Sequence, residues 1–121
     1  MHELALADSI VQAVLTELDR NEWRSVDVIG IRLGALSDVV PESLEFGFEA
    51  LTRESALSET RLSIERIEAH GVCRACKSEF PVPDFVFTCP RCMSHDVDLT
   101  HGMELDIAYL EVEQKTTEPP T

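Results

Sequence analysis

Cys73-Arg74-Ala75-Cys76 and Cys89-Pro90-Arg91-Cys92 decide how this chain folds. They are two C-x-x-C pairs separated by residues 77–88. A tight turn inside each pair lets both sulfurs face one ion, and two pairs complete a tetrahedral shell of four thiolates. Thiolates select zinc, copper(I) or iron–sulfur clusters. A closed four-sulfur shell points to structural zinc on Cys73, Cys76, Cys89 and Cys92. A thioredoxin-like redox pair needs a single C-x-x-C in a βαβ setting, and here there are two. A module of about twenty residues cannot bury enough surface to fold alone, so the ion supplies folding free energy, roughly 10–16 kcal/mol in zinc-finger peptides. Between the pairs, Phe80 and Val82 alternate before Pro83-Asp84, and Phe85 and Phe87 alternate after it. That pattern predicts a short hairpin beside the metal.

Working outward from the module, apolar residues at Leu4, Ala7, Val11, Val14, Leu15 and Leu18 form one helical stripe. Ser25–Leu33 reads as a strand, and its alternation changes phase near Gly30, which predicts a bulge or a close backbone approach there. A second helix starts at Pro41, with Glu42 and Glu45 near its positive end and Leu44, Phe48 and Leu51 on its apolar side. Leu62 and Ile64 mark another strand. Met103, Leu105, Ile107 and Tyr109 give the cleanest period-two run in the chain. The fold class is therefore α+β: a small α/β domain, two helices on a roughly three-stranded sheet, with an inserted zinc-ribbon-like module. The expected division is residues 1–70 plus 102–113 for the α/β domain and 71–101 for the zinc module. Residues 114–121, with Pro119 and Pro120 and no apolar anchor, read as a disordered tail.

The whole chain has 121 residues, 44% of them hydrophobic and 27% charged, which is the composition of an ordinary globular protein. A formal charge of −13 argues against a nucleic-acid binder, because phosphate contacts require clustered Lys and Arg, and equally against an anionic membrane surface. Between Cys73 and Cys92 three bases (Arg74, Lys77, Arg91) face two acids (Glu79, Asp84), so the module carries no basic stripe. No apolar run reaches the ~18 residues of a membrane span. Glu3 and Asp8 also spoil the layout of a signal peptide, and the expected compartment is the cytoplasm.

The chain opens Met1-His2-Glu3, immediately before the first helical pattern. A free α-amine, the deprotonated amide of residue 2 and its imidazole can form fused chelate rings around one ion. Such in-plane nitrogens suit Ni(II) or Cu(II). On these residues alone two readings stand, a chelating terminus and a merely frayed one.

Met1-His2-Glu3 ahead of an amphipathic helix resembles the HypA/HybF family of hydrogenase nickel-incorporation proteins. So do Gly34-Ala35-Leu36-Ser37 ahead of Val40-Pro41-Glu42-Ser43-Leu44-Glu45-Phe46, the two C-x-x-C pairs, and Gly102-Met103-Glu104-Leu105. The resemblance implies a nickel-binding α/β domain joined to a zinc domain. It also implies a metallochaperone that passes nickel to the precursor of the nickel–iron hydrogenase large subunit, helped by a GTPase accessory protein. By resemblance His2, with the Met1 amine and a backbone amide, becomes the nickel ligand, Glu3 supports it, and the cysteines hold zinc. A further carboxylate is expected from Asp38 or Glu42. Met103 stands where the family usually has Arg, away from the metal ligands.

His70 and His95 flank the module and read as exposed turn histidines or as occasional zinc ligands; His101 reads as a surface residue. Trp23 and Tyr109 read as packing residues. No phosphate loop or nucleophile motif is present, and a four-cysteine site leaves no open position for catalysis, so the chain reads as a non-enzyme. Its rivals are a zinc-ribbon adaptor that only mediates protein contacts and a redox or zinc-dependent enzyme. A direct consequence of the charge is that DNA and RNA binding is undetectable at physiological salt by fluorescence anisotropy; salt-sensitive binding at micromolar protein overturns that reading.

Overall fold

The computed structural model describes residues 2–115. In chain order the elements are α1 (His2–Arg20), β1 (Trp23–Gly34), α2 (Pro41–Thr52), β2 (Arg61–Ile67), β3 (His70–Cys73), β4 (Glu79–Pro81), β5 (Val97–His101) and β6 (Leu105–Gln114). They make two three-stranded sheets, ordered β2-β1-β6 and β4-β3-β5. The α+β expectation of two helices with a three-stranded sheet and a separate cysteine module holds.

The chain divides into two compact units. The first runs to Ile31, takes in Val39–Ser63 and resumes from Ile107; the second is Arg32–Asp38 and Ile64–Asp106. The second unit is wider than the expected 71–101 module because it includes a belt of backbone hydrogen bonds. Gly34 N–H donates to Glu104 O (2.7 Å), Ala35 N–H to Ile67 O (2.8 Å) and Leu36 N–H to Gly102 O (2.8 Å). Leu36 and Ala69 then belong to the same apolar cluster as Cys73, Phe80, Val82 and Cys89. Across the belt, the Arg32 guanidinium grips Asp106 with two bonds of 3.0 and 2.6 Å.

In the first unit α1 packs on α2. The buried stripe of α1 is Ala7, Ile10, Val11 and Val14, with Leu15 and Leu18 half-buried and Leu4 on the rim. Gly47 of α2 faces Leu4 and Ala7 of α1, and a Cβ added there would meet both at ordinary contact distance, 3.4 Å from Leu4 Cδ1. Pro41 occupies the start of α2, where its missing N–H leaves nothing unpaired. The apolar side of α2 is Leu44 and Phe48, continued by Thr52; its hydroxyl donates to Phe48 O at 2.8 Å, and Leu51 is exposed instead.

In β1 the buried positions run Val26, Val28, then Ile29, Ile31 and Leu33, so the phase shifts by one beside Gly30, as expected. The close approach is to Tyr109, whose ring occupies the space of a Gly30 Cβ. In β6 the alternation fixes the period but not the buried face. Leu105, Ile107 and Tyr109 are exposed, while Leu110 and Val112 are half-buried. Gln114, expected in the tail, still belongs to β6, whose end is tied by Arg24 to Glu113 (3.5 Å). The rest of the predicted tail, residues 116–121, lies outside the described residues.

The expected hairpin between the cysteine pairs does not form. β4 pairs antiparallel with β3 instead, His70 opposite Pro81 and Val72 opposite Glu79. The chain then turns through a short 3-10 segment, Pro83–Phe85, with Asp84 (φ 49°) and Phe85 (φ 62°) both left-handed, which ends any strand. Phe80 and Val82 are buried, whereas Phe85 is exposed, so the two arms never had equal claims on the core.

Two glycines separate backbone from side-chain constraint. A Cβ on Gly34 would overlap the Gly102 carbonyl, which the belt holds in place, whereas one on Gly30 would meet only a half-exposed ring that can swing away. Gly34→Ala should destabilise the protein by about 2 kcal/mol or more and Gly30→Ala by under about 1 kcal/mol, read by denaturant unfolding.

Candidate metal centre

Both cysteine pairs are built by the same turn. Cys73 N–H donates to Ser78 O (2.9 Å) and Lys77 N–H returns to Cys73 O (2.8 Å). In the second pair Cys89 N–H donates to Ser94 O (2.9 Å) and Met93 N–H returns to Cys89 O (2.9 Å). The residue after each second cysteine is left-handed, Lys77 at φ 66° and Met93 at φ 64°. The repeat is therefore C-x-x-C-x-S, in Cys73–Ser78 and again in Cys89–Ser94, a longer signal than the cysteines alone.

The first cysteine of each pair, Cys73 and Cys89, is fully buried in the apolar cluster of the second unit; Cys76 and Cys92 are exposed. Their sulfurs converge. Cys73 Sγ lies 3.5 Å from Cys92 Sγ, Cys76 Sγ lies 3.6 Å from Cys89 Sγ, and all four lie within 4.8 Å of one another. A tetrahedral zinc with Zn–S near ~2.3 Å needs sulfurs roughly 3.8 Å apart, which this arrangement matches, while a disulfide needs about 2.0 Å. Among the described residues this is the one group of three or more ligating side chains already converged. Arg74, inside the first turn, bonds Asp98 of β5 and lies 3.7 Å from Asp96, fastening the turn to the sheet.

The thiols are forced apart in acidity. Bonds from the Ser78 hydroxyl and backbone N–H stabilise the Cys76 thiolate and bring it down to about 6. Cys92 has the Ser94 backbone N–H in its favour, yet the neighbouring sulfurs of Cys73, Cys76 and Cys89, together with burial, push it up to about 12. Four sulfurs at this spacing ionise together only around a cation, so binding an ion expels protons. The closed shell leaves no coordination position for a substrate.

A family model described as hydrogenase/urease nickel incorporation, metallochaperone, hypA matches residues 1–112. The hydrogenase maturation factor HypA of Geotalea uraniireducens is 41% identical over 113 residues, covering 93% of this chain and 100% of its own. The chain belongs to the HypA family. Its function is that of the family, a nickel metallochaperone for hydrogenase maturation. Its fold also matches two solved structures. One is titled as the solution structure of HypA protein (TM-score 0.71, 22% identity, 93% of this chain and 96% of that one). The other is that of the Ni metallochaperone HypA from Helicobacter pylori (TM-score 0.65, 20% identity, 93% and 98%). Two stretches that carry the HypA resemblance, Gly34–Ser37 and Gly102–Leu105, are the two sides of the hydrogen-bonded belt. Glu104 adds a side-chain bond to it. Burial opposes its charge, but the N–H groups of Gly102 (2.7 Å) and of Glu104 itself, with Arg32 nearby, hold the carboxyl below its ordinary range.

Of the other expected site residues, Glu3 is half-buried in the first turn of α1, and Asp38 and Glu42 are exposed. Met1 and the side chain of His2 lie outside the described part. His95 bonds Thr88 Oγ1 through Nδ1 (3.1 Å), and His70 lies 3.6 Å from Glu68. Neither joins the sulfur cluster.

Removing one buried sulfur with Cys73→Ser should release the ion and unfold the second unit, while far-UV circular dichroism retains the signal of α1 and α2. Met93→Val keeps every sulfur but puts a β-branched residue at a left-handed position. It should weaken metal retention by about 1–2 kcal/mol against a chromogenic chelator, and Met93→Gly should not.

Proposed function

We propose that this HypA-family chain carries Ni(II) on its N-terminus and keeps zinc as a permanent structural ion. In this reading His2 supplies its imidazole and backbone amide, Met1 its free α-amine, and Glu3 supports the site. Asp38 and Glu42 are the two carboxylates to test as a further donor. Amine, amide and imidazole nitrogens in one plane match the tetragonal preference of Ni(II). Zinc is assigned to Cys73, Cys76, Cys89 and Cys92 because a closed tetrahedral thiolate shell is its habitual structural site. The observation that carries the assignment is the family match beginning at residue 1 and thus including Met1-His2-Glu3.

The nickel acceptor is the precursor of the nickel–iron hydrogenase large subunit, with a GTPase accessory protein assisting, and the work is done in the cytoplasm. A formal charge of −13 suits partners with basic docking faces. The chain moves an ion rather than transforming a substrate, since its closed sulfur shell offers no reacting position. The first unit, with α1 and α2, is the nickel-carrying part, and the second, with the four cysteines, is the zinc part.

The test is calorimetry of Ni(II) into three proteins: the untagged chain, His2→Ala and an N-terminally extended chain, with zinc measured in each. Tight nickel binding should appear only in the untagged chain and fall steeply on acidification, because protons compete for the amine and the imidazole. Equal tight binding by all three proteins contradicts the N-terminal chelate.

A further inference from the structure

β3 and β5 do not pair in simple register. Cys73 faces Val97, Val72 faces Asp98 and Gly71 faces Leu99, but His70 faces His101. The irregularity between His70 and Gly71 leaves Thr100 as an extra residue, and its hydroxyl donates to His70 O at 3.1 Å. Without that extra residue Thr100 would stand opposite His70. Bulges of this kind re-aim a side chain, and here the re-aimed side chain is an imidazole. Residues directly opposite in an antiparallel pair share one face of the sheet. The two rings accordingly meet edge to face, their centroids 6.2 Å apart and their planes at 90°. Glu68 Oε2 lies 3.6 Å from His70 Nε2. Glu79 and Thr100 join the two histidines around a shallow cavity of about 260 Å³.

We propose that His70 and His101, with Glu68 as third donor, form a second, solvent-open site for a divalent late first-row ion, separate from the cysteine shell and from the N-terminus. With metal–imidazole bonds of ~2.1 Å, an ion lies roughly 3 Å from each ring centre, so two rings sharing it stand within about 6 Å of each other. The observed pair stands just beyond that distance; His70 is half-buried and His101 exposed, and rotation of the His101 ring, at the expense of its 3.2 Å bond from Nδ1 to Thr100 Oγ1, closes the gap. Two imidazoles and one carboxylate suit nickel, copper and zinc rather than magnesium or calcium. Three protein donors leave positions for water, so an ion enters and leaves readily, the opposite behaviour to the closed sulfur shell.

The experiment uses the full-length, zinc-loaded chain with an N-terminal extension that lacks histidine and consumes the terminal amine. Ni(II) alone is titrated by calorimetry, and the histidine ring protons are followed by NMR. The expected result is one weak equivalent of nickel, with paramagnetic broadening of the His70 and His101 ring signals and not of His95. His70→Gln and His101→Gln should each weaken binding by about tenfold or more, while His95→Gln leaves it unchanged and zinc stays at one per chain in every variant. Absence of saturable binding in the extended parent overturns the proposal, as does equal binding in all four proteins. Because the amine is blocked throughout, neither outcome bears on the N-terminal chelate.

Discussion

Four sulfur atoms held within 4.8 Å of one another are electrostatically incompatible as thiolates unless a cation sits among them. Much of the second unit leans on that constraint. Cys73 ends β3 and Cys89 lies in the same apolar cluster as Phe80 and Val82, so the two buried sulfurs of the cluster belong to core residues. The sheet of this unit is small, with strands of three to five residues. So small a core is the kind that needs a metal as well as burial. Loss of the ion therefore removes packing and electrostatic closure together.

The first unit stands on different physics. Its helices carry continuous apolar stripes, and its buried aliphatics need no ion to hold them. That division suits the proposed pair of metals, which differ in kinetic character. A structural ion belongs in a saturated, sulfur-rich shell tied into a core. A delivered ion belongs on exchangeable nitrogen donors near the surface, where a partner can reach it.

How much of this was legible beforehand depends on the kind of signal. Helix periodicity placed α1 and α2, Pro41 marked a helix start, and the change of phase at Gly30 announced its close approach to Tyr109. The cysteine spacing led directly to the sulfur cluster. What the chain hid was long-range choice. Phe80 and Val82 alternate equally well as the arm of a hairpin or as a partner of β3, and the left-handed Asp84 and Phe85 decide between them without a glycine to advertise the turn. Lys77 and Met93 conceal the repeated cysteine turn in the same way. The alternation of Leu105, Ile107 and Tyr109 revealed a strand, but the face its sheet would cover depends on packing that no local pattern records. His70 and His101 are thirty-one positions apart in the sequence and meet only because Thr100 is an extra residue in β5.

The most direct test of a permanent sulfur-bound ion beside a separately carried one is X-ray absorption at the zinc and nickel edges of the untagged chain, before and after nickel loading. The account predicts one zinc with four sulfur neighbours near ~2.3 Å, unchanged by nickel, and a nickel edge showing only nitrogen and oxygen neighbours. Nickel with sulfur neighbours, accompanied by loss of zinc, would contradict it.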